Sequence, residues 1–434
     1  IGAGGVLASR SPMPKRIIPV SSGKGGVGKT TVATNFALSL SRFAPTILVD
    51  LDTGTSSVRN SIGVPVTHDL YHFFRKGRRL DECVTRLPDS WDPGGLYRGF
   101  GFVAGPLHLI EEVTNFGPEK KARLCDAINE LPADYVVLDM KAGLDANVVD
   151  FLPWSNSGIL VFTPHLPSAT LAASDIVKAI LFRKLRIVFS PSSPFYAQVK
   201  DPRTTTLLVN DLLDEVEDVY EPGLPNLDAF LVDLAAALGD HPVLDQVART
   251  VEHFRVHYVL NSFNGVDEAF DTAVKPFVEN LVSTVSERMT LTNLGWVVRS
   301  DEIHEGNCRK RPVLLAPPDG RPSARPTRGE RELDALIRET TGLAADPRPR
   351  KPVSPVPTRP DPESALAREL DALNRMYHRR GNRDDPRDNF DYLTARALHL
   401  LDRARPSEFG TARLVGPAEI LRSFFPVGAA RPPR

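Results

Sequence analysis

Two lysines and two threonines stand in one glycine-rich stretch, Ser22-Gly23-Lys24-Gly25-Gly26-Val27-Gly28-Lys29-Thr30-Thr31. It follows the spacing of a phosphate loop: Gly, four residues, Gly, Lys, then Ser or Thr. The chemistry is polyphosphate binding, because glycines let the backbone wrap closely enough for successive N–H groups to point at the anion. A helix N-terminus behind the loop adds partial positive charge. In this pattern Lys29 reaches the terminal phosphates, the Thr30 hydroxyl coordinates Mg²⁺ and Thr31 sits near the α-phosphate. The flanks fit: Ile17 to Val20 is an apolar run, and Val32, Phe36 and Leu40 recur every fourth residue beside Ala33 and Ala37. That strand, loop and helix argue against a chance glycine-rich turn.

Two further runs position carboxylates. Thr46 to Val49 leads into Asp50-Leu51-Asp52, and Tyr135 to Leu138 leads into Asp139. Both read as buried parallel strands, whose carboxyl ends are where ligands sit in such sheets. Asp139 fits the second acidic strand end of a phosphate-loop NTPase, holding Mg²⁺ through water. The plain alternative is that these aspartates cap the following helices.

Lys24 is the extra lysine, and Lys-Gly-Gly-Val-Gly-Lys-Thr-Thr resembles the deviant phosphate loop of the MinD and ParA family of ATPases. The resemblance implies that Lys24 crosses an ATP-sandwiched interface to a partner's nucleotide, hence a homodimer closed by ATP. Without it, Lys24 reads only as a solvated cation near a phosphate. Carried over, the catalytic residues are Lys24, Lys29 and Asp52, with Asp52 positioning the attacking water and Asp50 behind it near the metal. Thr30, Asp52 and Asp139 form the implied Mg²⁺ site. Gly23, Gly25, Gly26, Val27, Gly28, Lys29, Thr30, Thr31, Gly143 and Asn261 form the implied ATP contacts, with Gly143 approaching the γ-phosphate and Asn261 reading adenine, which a side-chain amide suits. Thr163-Pro164 and Pro167-Ser168-Ala169-Thr170 resemble MinD-like and FlhG-like proteins, as does Pro312-Val313-Leu314 as a closing segment. Met140 and Lys141 depart from the family's second switch, where a small hydroxyl residue and Pro or Gly are usual, and imply slow or partner-dependent hydrolysis.

Composition excludes several classes. The 434 residues are 41% hydrophobic and 25% charged with a net charge of −1, so no global field calls for nucleic acid or an anionic membrane. Cys83, Cys125 and Cys308 stand apart, giving neither a disulfide framework nor the paired cysteines of related iron–sulfur carriers. No run of about eighteen apolar residues exists and the N-terminus lacks a signal-peptide plan, which with the cysteine usage predicts a cytoplasmic protein, peripheral at the inner face of the membrane if its C-terminal segment anchors there.

The layout predicted is a loose extension over 1–14, an ATPase domain over 15–345 with a helical insertion at about 190–254, a Pro/Arg-rich linker over 346–362 and a helical C-terminal region over 363–434. Helices are predicted over Thr205 to Val219, Leu227 to Leu238, Ser364 to His378 and Phe390 to Arg403. The insertion reads as a partner surface or as a simple widening of the fold. In the tail, Arg379, Arg380, Arg383 and Arg387 are phosphate contacts or a solvated face. Ile420, Leu421, Phe424 and Phe425 line one helical face, suited to a membrane surface or to the protein's own domain.

The fold class is therefore α/β, doubly wound, with a mostly parallel sheet of about seven strands. The function expected is an ATP-dependent dimerisation switch positioning flagella, division sites or DNA, with an unknown protein effector and nucleic acid as a weaker partner. The alternative is an enzyme of the same fold that uses ATP to activate a carboxylate, resembling amide-forming synthases and dethiobiotin synthetase. A non-hydrolysing adaptor is a third reading, resting on Met140 and Lys141. A tyrosine kinase is disfavoured because no tyrosine cluster ends the chain.

Overall fold

The structure is a computed structural model and describes residues 15–52, 57–107, 117–144, 146–217, 223–239, 241–316, 362–380, 385–403, 405 and 407–425. The predicted extension over 1–14, Arg383 and all but the last residue of the predicted linker lie outside the described residues.

The apolar runs become strands: β1 (Arg16–Ser21), β2 (Thr46–Leu51), β3 (Thr85–Arg86), β4 (Phe100–Val103), β5 (Tyr135–Met140), β6 (Asn156–Phe162), β7 (Arg255–Phe263) and β8 (Thr290–Val298). Their order across the sheet is β3-β4-β2-β5-β1-β6-β7-β8. Every pairing is parallel except that of β3 with β4. The eighth strand, one more than predicted, is β3: two partly exposed residues give no apolar run to read.

Because side chains alternate across a strand, each apolar run feeds two cores. Ile18, Val20, Leu48, Val137 and Ile159 face helix α1 (Lys29–Ser41) through Phe36 and Leu40. Helix α2 (Ser57–Ser61) joins that face through Val58. On the other face Val49, Val136, Leu138, Leu160 and Phe162 meet helices α3 (Leu70–Lys76), α4 (Pro118–Glu130), α5 (Ala146–Val149) and α6 (Pro167–Val188). Insertion helices α7 (Pro202–Glu217), α8 (Leu227–Leu238) and α9 (Pro242–Glu252) bury Val209, Leu213, Phe230, Leu234, Val247 and Val251 in that second core, so the insertion widens the fold. Helices α10 (Val266–Ala269) and α11 (Lys275–Thr284) complete this side, and α12 (Asp301–Cys308) follows β8 with Ser300 as its N-cap.

Pro19 sits in central strand β1, where a missing N–H ought to break a ladder. The β1–β6 pairing starts only at Val20, and β6 shifts register between Asn156 and Ile159 beside it. Ile17, two residues earlier, pairs instead with Thr411 of the tail at 2.7 and 2.9 Å. The N–H that proline lacks would point into this irregular seam.

The tail packs directly on the sheet. Helices α13 (Pro362–Arg380) and α14 (Pro386–Arg403) flank β8, burying Leu373 and Met376 in one core and Phe390, Leu393 and Ala397 in the other. Arg387 pairs with Glu302 and lies 3.6 Å from Asp385, so it is neutralised within the fold. Helix α15 (Pro417–Phe424) turns Ile420 and Phe424 onto α6. Among the described residues no helix is long and apolar enough to cross a membrane.

Candidate functional site

The carboxyl ends of β1, β2 and β5 meet at the glycine-rich loop. Two of its glycines are required by close approach: a Cβ on Gly23 would lie 2.3 Å from the Ala172 carbonyl carbon of α6, and one on Gly28 would lie 2.2 Å from the Asn261 amide nitrogen. Gly28 also has φ of 82°, the left-handed region that a side chain disfavours. With both present, the loop turns tightly enough to start α1 at Lys29.

Lys29 is buried and its Nζ lies 2.5 Å from Asp139 Oδ1. Asp139 is fully buried, and its other oxygen, Oδ2, has no hydrogen-bond partner among the described residues. Burial pushes the Asp139 carboxyl up, while the Lys29 charge and hydrogen bonds from Lys29 and Thr30 pull it back. An orphaned carboxylate oxygen beside a threonine hydroxyl and below a phosphate loop fits a divalent cation. Among the described residues no cluster of three or more His, Cys, Asp or Glu is arranged to hold a metal, so an ion here would rest on Thr30, Asp139 and the phosphates themselves.

Asp50 stands opposite Asp139 in the β2–β5 register. It is also fully buried, and burial with the neighbouring Asp139 charge raises it to about 7. The sequence placed Asp50 near the metal; its described contacts are with backbone. Its Oδ1 accepts from Asp52 N at 3.1 Å, and its Oδ2 accepts from Val58 N at 3.0 Å and Gly105 N at 3.3 Å. Asp52 follows β2 half-buried, its Oδ2 accepting from the Ser57 hydroxyl at 3.0 Å.

The segment after β5 is tied to the loop. Gly143 N donates to Ser22 O at 2.9 Å, with Gly143 at φ of 93°. Met140 is a core side chain, only 1% exposed, and Lys141 is exposed. Lys24, Gly25 and Gly26 are the exposed residues of the loop, and Leu144, next to Gly143, and Leu171, next to Ala172, are exposed as well.

Two placements were not legible from spacing. Asn261 donates its amide to Val27 O at 2.8 Å, bracing the loop from β7. Asn307, on α12, donates to the Thr31 hydroxyl at 3.2 Å. It lies 276 residues from Thr31, and only the fold brings the two together.

Residues 18–313 match the family model described as the CobQ/CobB/MinD/ParA nucleotide binding domain. The chain is similar to the chloroplastic septum site-determining protein MinD homolog of Arabidopsis thaliana, 29% identical over 40% of this chain and 52% of that protein. It is likewise similar to the flagellum site-determining protein YlxH of Helicobacter pylori, 29% identical over 38% of this chain and 53% of that one. The match thus spans about half the length of each of these two relatives. Among solved structures, MinD of Pyrococcus horikoshii complexed with Mg-ADP aligns over 69% of this chain and 88% of its own, at 16% identity and a TM-score of 0.40.

Proposed function

This chain belongs to the CobQ/CobB/MinD/ParA nucleotide-binding family, and on that premise we propose that it is an ATPase working as a dimerisation switch that positions a cellular cargo. The observation carrying the reading is the contrast between the loop's two lysines: Lys29 is buried against Asp139, whereas Lys24 stands exposed on the loop. One lysine serves its own site. The other, exposed to solvent, is proposed to serve a second copy.

Bound Mg²⁺, held by Thr30 and Asp139, would supply charge neutralisation on the phosphates. The loop N–H groups cradle the polyphosphate, and Lys29 exchanges Asp139 for the terminal phosphate. Gly143, already bonded to Ser22, brings the second switch beside the γ-phosphate. Asp52 orients the water, and loss of the γ-phosphate contacts releases the switch segments and the dimer. Positioning is the role named in the relatives, as septum or flagellum site determination, and a division site, a flagellum or DNA is the cargo proposed here.

Light scattering of the purified protein, with ADP and then with ATP plus Mg²⁺, tests this when repeated for Lys24→Ala. A dimer that forms with ATP alone and is lost in the variant supports the switch. A monomer in every state that releases phosphate only with an added small carboxylate would replace it with the carboxylate-activating enzyme.

A further inference from the structure

Among the described residues, the hydrogen bonds of buried Asp50 all come from the backbone beyond β2, at the start of α2 and beyond β4. Its two oxygens accept from three backbone N–H groups, those of Asp52, Val58 and Gly105, at 3.0 to 3.3 Å. Asp52 directly follows β2 and Val58 is the second residue of α2. Gly105 lies two residues beyond the end of β4. A buried carboxyl group whose two oxygens accept several backbone N–H bonds is a directional anchor, because each bond is sheltered from water.

A second set of bonds repeats the pattern. Arg59, next to Val58, donates to Asp69 Oδ2 at 2.8 Å and to Gly105 O at 3.4 Å. Asp69 caps α3, accepting from Tyr71 N at 3.0 Å. The start of α2 is thus fastened from both sides, to the β2 end by Asp50 and to the β4 end by Arg59. The Ser57 hydroxyl, within the fastened segment, in turn holds Asp52 Oδ2.

We infer that Asp50 is a positioning residue: it latches Asp52 and the start of α2 to the sheet and so fixes the carboxylate of Asp52 for hydrolysis, rather than holding the metal. The inference rests on the ATPase reading for its consequence and on the backbone bonds alone for the latch. A side chain that only filled space would leave Asp52 where it is when replaced by an isostere. A latch needs two acceptor oxygens. Asparagine keeps one and turns an N–H₂ toward donors that need an acceptor.

The test is Asp50→Asn, studied by steady-state ATP hydrolysis, ADP binding and amide hydrogen exchange on the full chain. The expected result is a fall in kcat of about tenfold or more with KM and ADP affinity within about threefold, since Asp50 has no described hydrogen bond to the phosphate loop. Exchange should accelerate at Val58 and Gly105 and stay unchanged at the strand amides of β1 and β5. Equal losses in ADP affinity and kcat, or exchange that accelerates throughout the sheet, would overturn the latch and leave Asp50 a general stability residue. Were the variant not to fold, exchange in the unaltered protein decides: Val58 and Gly105 amides protected like the core strands support the latch, and amides exchanging at loop rates overturn it. Absent ATP hydrolysis in the unaltered protein together with the localised exchange change would sink the ATPase reading and leave the latch standing.

Discussion

The two ends of strand β1 handle buried polar groups in opposite ways. At its carboxyl end Lys29, Asp50 and Asp139 are buried together, and one Asp139 oxygen has no partner among the described residues. At its amino end the tail completes the hydrogen bonding. Ile17 pairs with Thr411, and the Asn156 amide donates to Ser407 O at 3.1 Å and Gly410 O at 2.8 Å while accepting from Gly158 N at 2.9 Å. Arg16 is the exception there, with two guanidinium nitrogens unpartnered among the described residues. A buried group without its bond costs free energy, so the first end holds a deficit that a phosphate and a cation relieve. The second end, Arg16 aside, is finished by bonds from the tail, and its residues act on stability.

The largest effect that would sharpen this contrast concerns the packing of the tail on the fold. Phe390, fully buried on α14 in the same core as Phe36 and Leu40 of α1, is the anchor of the tail. Phe390→Ala should cost about 3–5 kcal/mol, the range for large aromatic truncations in a packed core. Denaturant unfolding measures it, and nucleotide affinity of the folded fraction should be unchanged. A variant as stable as the parent would mean that the tail is not part of the core, and the contrast between the two ends would fail.

Much of the carboxyl end was readable because its chemistry is local in sequence. The glycine spacing, the two lysines and the strand-end aspartates each carry a signal within ten residues, and the structure brings Lys29, Thr30 and Asp139 together as that signal implied. What was not readable depends on residues far apart in the chain. Asn307 meets Thr31 across 276 residues, and Thr411 meets Ile17 across nearly the whole chain. Asn261 has the amide that suits adenine, yet it donates to Val27 O, because β7 passes close enough for Gly28 to admit no Cβ between them. The tail helices were visible as periodic stretches; their destination was not, since an apolar face records that it is buried and not against what.

A smaller effect tests the deficit at the carboxyl end. Burial and the Asp139 charge raise Asp50 from the usual 3.8 to about 7. The folded state therefore binds more protons than the unfolded one between those values, so the contribution of this group to stability is present at low pH and is lost as pH rises through that window. Unfolding measured from pH 4.5 to 8 should show the parent losing stability relative to Asp50→Asn up to about pH 7, and a constant difference above it. A pH-independent difference would show Asp50 to be ionised throughout, its three N–H donors outweighing its burial. The carboxyl end would then hold less unrelieved charge than its burial implies.

The smallest effect concerns the last described helix, α15, where the sequence left a membrane surface and the protein's own domain both open. In the structure the apolar face is covered: Ile420 and Phe424 are buried against α6, and Lys184 lies with its Nζ 5.4 Å from the centre of the Phe424 ring. Lys184 also donates to Trp154 O at 3.0 Å, and burial lowers it from 10.5 to about 8. Phe424→Ala removes one wall of that pocket at the edge of the fold, where neighbours collapse more readily than in a core, and should cost about 1–2 kcal/mol. It should also admit water to Lys184 and move its pKa back toward 10.5, which an amine-specific labelling rate followed against pH would report. Unchanged stability and an unchanged Lys184 would mean that the helix does not rest on α6 in solution, and binding to anionic vesicles by the parent would then become the reading to test. A fall in stability with a rise in the Lys184 pKa places the helix with the finished end of the molecule, as part of what holds the fold rather than what the nucleotide moves.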